Sequence, residues 1–183
     1  DRAGAIMLHS LLWQRPGTKL GTSSLEEAFD LLTNNPRGLS DLVEIADYRL
    51  DTTTSKGGKI YPSLPLELHA HYGNDEIQAA FGRDLYNESA QRGVGVLHFP
   101  WCKSYALLVT LQKSEKDFSP TTMYSDYPIS RSLFHWESQS NTTQISTSGQ
   151  NLIHHEERGY QIFLFVRAKK SNGVKTLPFQ FLG

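Results

Sequence analysis

SYALLVTLQK, Ser104 to Lys113, is the stretch on which the fold class turns. It is a short run of aromatic, β-branched and aliphatic residues without strict alternation. That texture, rich in Val, Leu and Tyr, reads as a strand. YQIFLFVRAKK, Tyr160 to Lys170, reads the same way. Around them lie GVGVLHF (Gly93 to Phe99), LFHWESQ (Leu133 to Gln139) and NLIHHE (Asn151 to Glu156), also strand-like and separated by Ser, Pro, Asn and Gly. Upstream of Ile60 the pattern changes to helix. Ser24 and Glu27 make a capping box before SLEEAFDLL, Pro36 and Gly38 break that run, and Ser40 is placed to cap SDLVEIADYRL, with Leu42, Ile45 and Ala46 on one face. DTTTSKGGK reads as a linker. PLELHAHYGNDEIQAAFG is an extended lead-in and a short helix, capped at Asn74 and stopped at Gly82. The expectation is an α+β chain: a helical connector over 1–55, then over 56–183 a small curved or barrel-like mixed sheet with flanking helices. The end on PFQFLG and the start without Met are the pattern expected either of a fragment, truncated at its C-terminus, or of processing.

Composition narrows the class. Of 183 residues, 38% are hydrophobic and 20% charged, which suits a globular chain with a real core. No apolar run is long enough to span a bilayer, and the N-terminal residues lack a signal-peptide pattern. A single cysteine, Cys102, excludes an internal disulfide and a four-cysteine zinc site. A cytoplasmic location without membrane partners is expected. The net charge of −1 argues against a uniformly basic surface, but from Arg158 onward there are Arg158, Arg167, Lys169, Lys170 and Lys175 and no Asp or Glu. Such a patch suits either phosphate contacts or a solvated strand end.

Enzyme signatures are missing. Gly57-Gly58-Lys59 has the lysine of a phosphate loop but neither its spacing nor its hydroxyl. HExxH, GxSxG and GxGxxG do not occur. His69 and His71 alternate on a strand-like stretch, while His154 and His155 would point to opposite faces, and neither pair has metal-ligand companions. Cys102 beside Trp101 reads as a buried apolar residue rather than as a nucleophile for His98. No cofactor, metal or catalytic residue is expected.

The segment Phe118 to Gln150, FSPTTMYSDYPISRSLFHWESQSNTTQISTSGQ, differs from ordinary structural sequence. It brings Tyr124, Tyr127, Phe134 and Trp136 close to Asp126, Glu137, Ser138 and Gln139. Aromatic faces can stack on a nucleobase, and carboxylate, amide and hydroxyl groups can read its edge. In a strand, Phe134, Trp136 and Ser138 would share one face and His135, Glu137 and Gln139 the other, so Phe134 and Trp136 also read as core. Tyr124, Asp126 and Tyr127 sit in a Pro-flanked loop that suits a pocket, although Asp126 also fits a plain turn. Gln139, Asn141, Gln144 and Gln150 can probe a groove or form a surface loop.

SPTTMYSDYPISRSLFHWESQS, a Gly-Gln turn, IHH, YQIFLFVRAKK and PFQFLG together resemble a bacterial family found at the C-terminal end of DEAD/DEAH-type helicase proteins. That family includes the target-recognition domain of SauUSI-like type IV restriction enzymes. The resemblance runs from about Leu64 to Gly183, strongest over Val109 to Gln139. It implies a fold of the SRA/PUA-like group and a partner, duplex DNA carrying 5-methylcytosine or 5-hydroxymethylcytosine. It also implies nuclease and helicase domains elsewhere in the same polypeptide. The positions matching the motif are Tyr124, Asp126, Tyr127, Phe134, Trp136, Ser138 and Gln139. The expected function is a recognition domain that flips a modified cytosine into an aromatic pocket, with Asp126 or Glu137 accepting from its amino group. Lys113, Lys116, Arg131, Arg167, Lys169 and Lys170 are expected at phosphates. The alternative is a helicase-docking domain that binds DNA without base specificity.

Overall fold

The computed structural model of the chain describes residues 2–52, 63–93, 95–113, 125–140 and 142–183. They form two compact units. One contains Asp1–Leu68 and Asn74–Ala90, the other His69–Gly73 and Gln91–Gly183. The short helix that starts at Asn74 thus groups with the N-terminal helices. Most of the linker reading, residues 53–59, lies outside the described residues.

The first unit is helical: α1 (Arg2–Trp13), α2 (Leu25–Asp30), α3 (Pro36–Thr52) and α4 (Asn74–Ala80). Ile6, Leu25, Ala28, Ala79, Leu85 and Tyr86 form its core. The capping box forms as the sequence implies. Ser24 Oγ accepts from the Glu27 amide at 3.1 Å, and the Glu27 carboxylate accepts from the Ser23 amide at 2.7 Å. Ser40 does not cap α3, which begins four residues earlier at Pro36. Proline fits the first helical position because no intrahelical partner awaits its missing N–H. Asn35 supplies the cap, its Oδ1 accepting from the Gly38 amide at 3.1 Å. Gly17 allows close approach: a Cβ there would lie 1.9 Å from the Tyr86 ring.

The second unit carries β1 (His71–Tyr72), β2 (Val96–Phe99), β3 (Ser104–Gln112), a two-stranded hairpin of β4 (Tyr127–Pro128) and β5 (Phe134–His135), α5 (Thr147–Ile153), α6 (His155–Arg158), β6 (Gln161–Lys169) and β7 (Phe179–Phe181). Its main sheet has the order β1-β7-β6-β3-β2. The central β3–β6 pair is parallel and the others are antiparallel. The barrel-like expectation is corrected here to an open sheet. Its edge strands, β1 and β2, are short and do not pair with each other among the described residues, whereas a barrel needs every strand bonded on both sides.

β3 is buried through its first seven residues, which explains its apolar centre from Tyr105 to Val109. Register assigns its neighbours to two faces. Leu97, Phe99, Ala106, Leu108, Phe163, Phe165 and Phe181 share one buried face. Within it Phe165 stacks on Phe181 with centroids 4.9 Å apart. Each such phenylalanine contributes about 1.5–3 kcal/mol by leaving water. The other face carries His98, Tyr105, Leu107, Val109, Ile162 and Leu164.

NLIHHE is helical rather than a strand. Ser146 Oγ accepts from the Gly149 amide at 3.1 Å and starts α5, and Gly159, at φ 70°, ends α6. His154 and His155 therefore do not alternate across a sheet. Neither do His69 and His71, because His69 has φ 66° and lies outside β1. Cys102 is exposed, in the tight turn between β2 and β3, and not a buried apolar residue.

Candidate nucleic-acid interface

Within the segment of unusual aromatic and polar composition, Tyr127 to His135 form the β4–β5 hairpin, a sheet separate from the main one. Tyr127 pairs with His135 and Pro128 with Phe134. Five residues, Ile129 to Leu133, connect the strands. The amides of Ile129 and Ser130 both donate to the Leu133 carbonyl, at 2.9 and 3.0 Å. Ser130 Oγ accepts from the Ser132 amide at 3.3 Å. Serine favours such turns because its hydroxyl competes for local backbone groups. The rings of Tyr127 and His135 stack, 4.7 Å apart and 12° from parallel, and His135 Nδ1 lies 2.9 Å from the Ser125 carbonyl oxygen.

Asp126 fastens the base of the hairpin. Its Oδ2 lies 2.7 Å from Lys113 Nζ at the end of β3, with the side chains only 5% and 8% exposed. Its Oδ1 accepts from the Glu137 amide at 2.9 Å. A buried ion pair persists only where further hydrogen bonds satisfy it, and the Glu137 amide serves that purpose. The structure therefore brings together two residues the sequence assigns to different tasks, base reading for Asp126 and phosphate binding for Lys113. Both are engaged with protein groups.

The remaining candidates fall into distinct settings. Glu137 is exposed, its backbone amide held by Asp126. Phe134 and Trp136 are half-buried, between the core and pocket readings. Ser138 Oγ donates to the Thr142 carbonyl at 3.2 Å, and the Gln139 carbonyl accepts from the Thr142 amide at 2.7 Å, closing a turn. Gln150 donates to the Gln144 carbonyl at 2.8 Å. Tyr124, Lys116 and Asn141 lie outside the described residues.

Among the cations, Arg131 at the hairpin tip and Lys169 are exposed, and Lys170 is half-buried. Arg167 is held by the fold. Its Nε donates to Thr110 Oγ1 at 2.9 Å, Nη1 donates to the Leu177 carbonyl at 3.1 Å, and its guanidinium lies 4.1 Å from the Phe179 ring centroid. Arg158 donates to Asn151 Oδ1 at 2.8 Å, and Asn151 in turn donates to the Tyr105 hydroxyl at 3.2 Å.

Two groupings escaped the sequence reading. His98 stacks on Tyr105 with centroids 4.4 Å apart, beside Tyr160, and burial lowers its pKa. The other is the Tyr127–His135 stack. Its signal was present in PISRS, a turn-like sequence between two aromatic pairs. Among the described residues no group of three or more His, Cys, Asp or Glu could hold a metal ion, and no helix is long and apolar enough to cross a membrane.

A family model described as "Domain of unknown function (DUF3427)" matches residues 66–183, nearly the span over which the sequence resemblance runs. The match takes in α4 as well as the sheet. No curated protein matches the chain.

Proposed function

The chain belongs to the DUF3427 family, and on that premise we propose that it is the target-recognition part of a modification-dependent restriction system, reading modified cytosine in duplex DNA. The family's association with SauUSI-like restriction enzymes supports a DNA-recognition role. One observation carries the finer reading: the motif-bearing segment stands apart from the main sheet as a hairpin and presents a stacked Tyr127–His135 pair. A flat aromatic pair with no place in the core suits stacking on an unpaired base.

In this reading the target cytosine leaves the helix at a cost of a few kcal/mol. Tyr127 stacks on it, and Trp136 forms a wall. The exposed Glu137 carboxylate accepts from the cytosine amino group. Asp126 and Lys113 position Glu137 rather than touch DNA. Arg131, Lys169 and Lys170 contact phosphates. Helicase and nuclease domains of the same polypeptide are the proposed protein partners.

Binding to matched duplexes carrying cytosine, 5-methylcytosine or 5-hydroxymethylcytosine, at fixed physiological salt, tests the proposal. A modified duplex should bind about tenfold or more tightly than the plain one, the scale that one methyl group supplies. Tyr127→Ala should weaken that binding by about 1–3 kcal/mol. Equal affinity for all three duplexes would overturn the reading. It would favour a docking role, to which one observation lends weight: Asp126, Lys113 and Arg167 are all occupied within the fold.

A further inference from the structure

Resting on the DNA-recognition reading, we infer that the tip of the β4–β5 hairpin is a wedge that enters the base stack of duplex DNA. Ile129 and Leu133 are 54% and 57% exposed, and Tyr127 is 49% exposed. Large aliphatic side chains at a hairpin apex contribute nothing to a core. The strand register relates them. Tyr127 pairs with His135, and the Ile129 amide donates to the Leu133 carbonyl at 2.9 Å, so the two aliphatic residues adjoin across the turn, nearer the tip. The hairpin thus runs from two stacked rings on its strands to two exposed aliphatic residues in its turn, with Arg131 between them in sequence.

Charge selects the occupant. From Tyr127 to Trp136 the sequence holds Arg131 and no acidic residue. An apolar tip bearing one cation suits a polyanion with an apolar interior, which describes stacked bases between phosphate backbones. Protein wedges that kink duplexes insert side chains of this kind. A docking knob for a protein partner would need no cation at its apex.

Stiffness completes the case. Inserting a flexible loop forfeits the entropy of ordering it. Here the turn is closed by two amides on one carbonyl, the rings of Tyr127 and His135 stack behind it, and the Lys113–Asp126 pair anchors the base to β3. The tip is therefore held before it meets DNA. The wedge and the base reader divide the work: Ile129 and Leu133 open the stack, and the vacated base reaches Tyr127 and Glu137.

The test uses the full 183-residue chain and a modified-cytosine duplex with 2-aminopurine beside the target. The parent protein should raise 2-aminopurine fluorescence on binding. Ile129→Ser/Leu133→Ser, whose positions are exposed and whose circular dichroism and unfolding should match the parent, should abolish the rise and weaken binding by about tenfold or more, since each opened step costs the complex stacking energy. On a duplex that already carries an abasic site opposite the target, the same variant should regain most of its affinity. Unchanged fluorescence and affinity in the variant, with the parent still preferring modified DNA, would overturn the wedge and leave the reader standing. A defect that the abasic site does not relieve would also overturn it and mark the tip as a surface for protein or backbone contact. Failure of the parent to bind any duplex would overturn both.

Discussion

Replacing Asp126 by alanine should release the hairpin from the sheet while leaving the sheet folded. The substitution strands the Lys113 ammonium at a site where the side chain is 8% exposed and removes the acceptor of the Glu137 amide. Breaking one partner of a buried pair costs about 3–5 kcal/mol, and a hydrogen bond to a charged acceptor is worth about 1.5–3 kcal/mol. These two do not simply add, because the hairpin can detach. Once it swings away, Lys113 regains water and the loss stops at the free energy that docked the hairpin. Hydrogen exchange separates the outcomes. Amides of Ile129, Ser130 and Glu137 should exchange at least a hundredfold faster, which corresponds to about 2.7 kcal/mol. Those within the β3–β6 ladder should change little. Lys113→Met/Asp126→Leu, which leaves no buried charge, should recover most of the protection of Ile129 and Ser130 but not that of Glu137, whose acceptor is gone. Parent-like protection of those three amides in Asp126→Ala would refute the clamp. Uniform loss across the sheet would refute the claim that the hairpin is separable.

Three further outcomes follow from other parts of the fold. Gly149→Ala, normally favourable within a helix, should instead destabilise by roughly 1–3 kcal/mol in urea unfolding, because the new Cβ would lie 2.0 Å from the Thr143 carbonyl oxygen. Arg167→Lys should destabilise by about 2 kcal/mol through loss of the guanidinium fork and its stacking on Phe179, while the salt dependence of DNA binding stays that of the parent. His9 is buried between Trp13 and Tyr86, and burial lowers its pKa below the ordinary 6.5. The unfolded chain then binds the proton more readily, so the stability tied to His9 is complete above about pH 6.5 and is lost as pH falls from there toward the folded-state pKa. His9→Leu should flatten that part of the profile, and the residual slope should include the contribution of His98, shifted in the same direction.

Local chemistry was legible in the sequence, and long-range pairing was not. The Ser24–Glu27 capping box and the strands β3 and β6 announced themselves, because a cap lies within four residues and both strands are rich in the aliphatic, β-branched and aromatic residues that suit a sheet. Pro36 and Gly38 signalled a break correctly but hid a start, since proline both ends one helix and suits the first position of the next. NLIHHE looked like a strand because Leu and Ile serve either state, and the deciding contact, Ser146 on the Gly149 amide, lies upstream. At the site, the exposure of Tyr127 and Glu137 was foreseeable from a Pro-flanked polar segment. Asp126 was not, because its partner Lys113 lies 13 residues away with no local pattern joining them. The open sheet was also beyond the sequence, since closure depends on which edges pair rather than on what each strand contains.

The parallel pairing of β3 with β6 joins residues far apart, 57 positions between Thr110 and Arg167. Contacts so distant along the chain close late in folding, and the stretch they enclose enters as one large loop. Loop closure depends weakly on length: doubling it adds only about 0.6 kcal/mol. The hairpin thus occupies a cassette that the central strands tolerate at many lengths and sequences. Its contents are free to diverge, provided each replacement keeps a carboxylate within reach of Lys113.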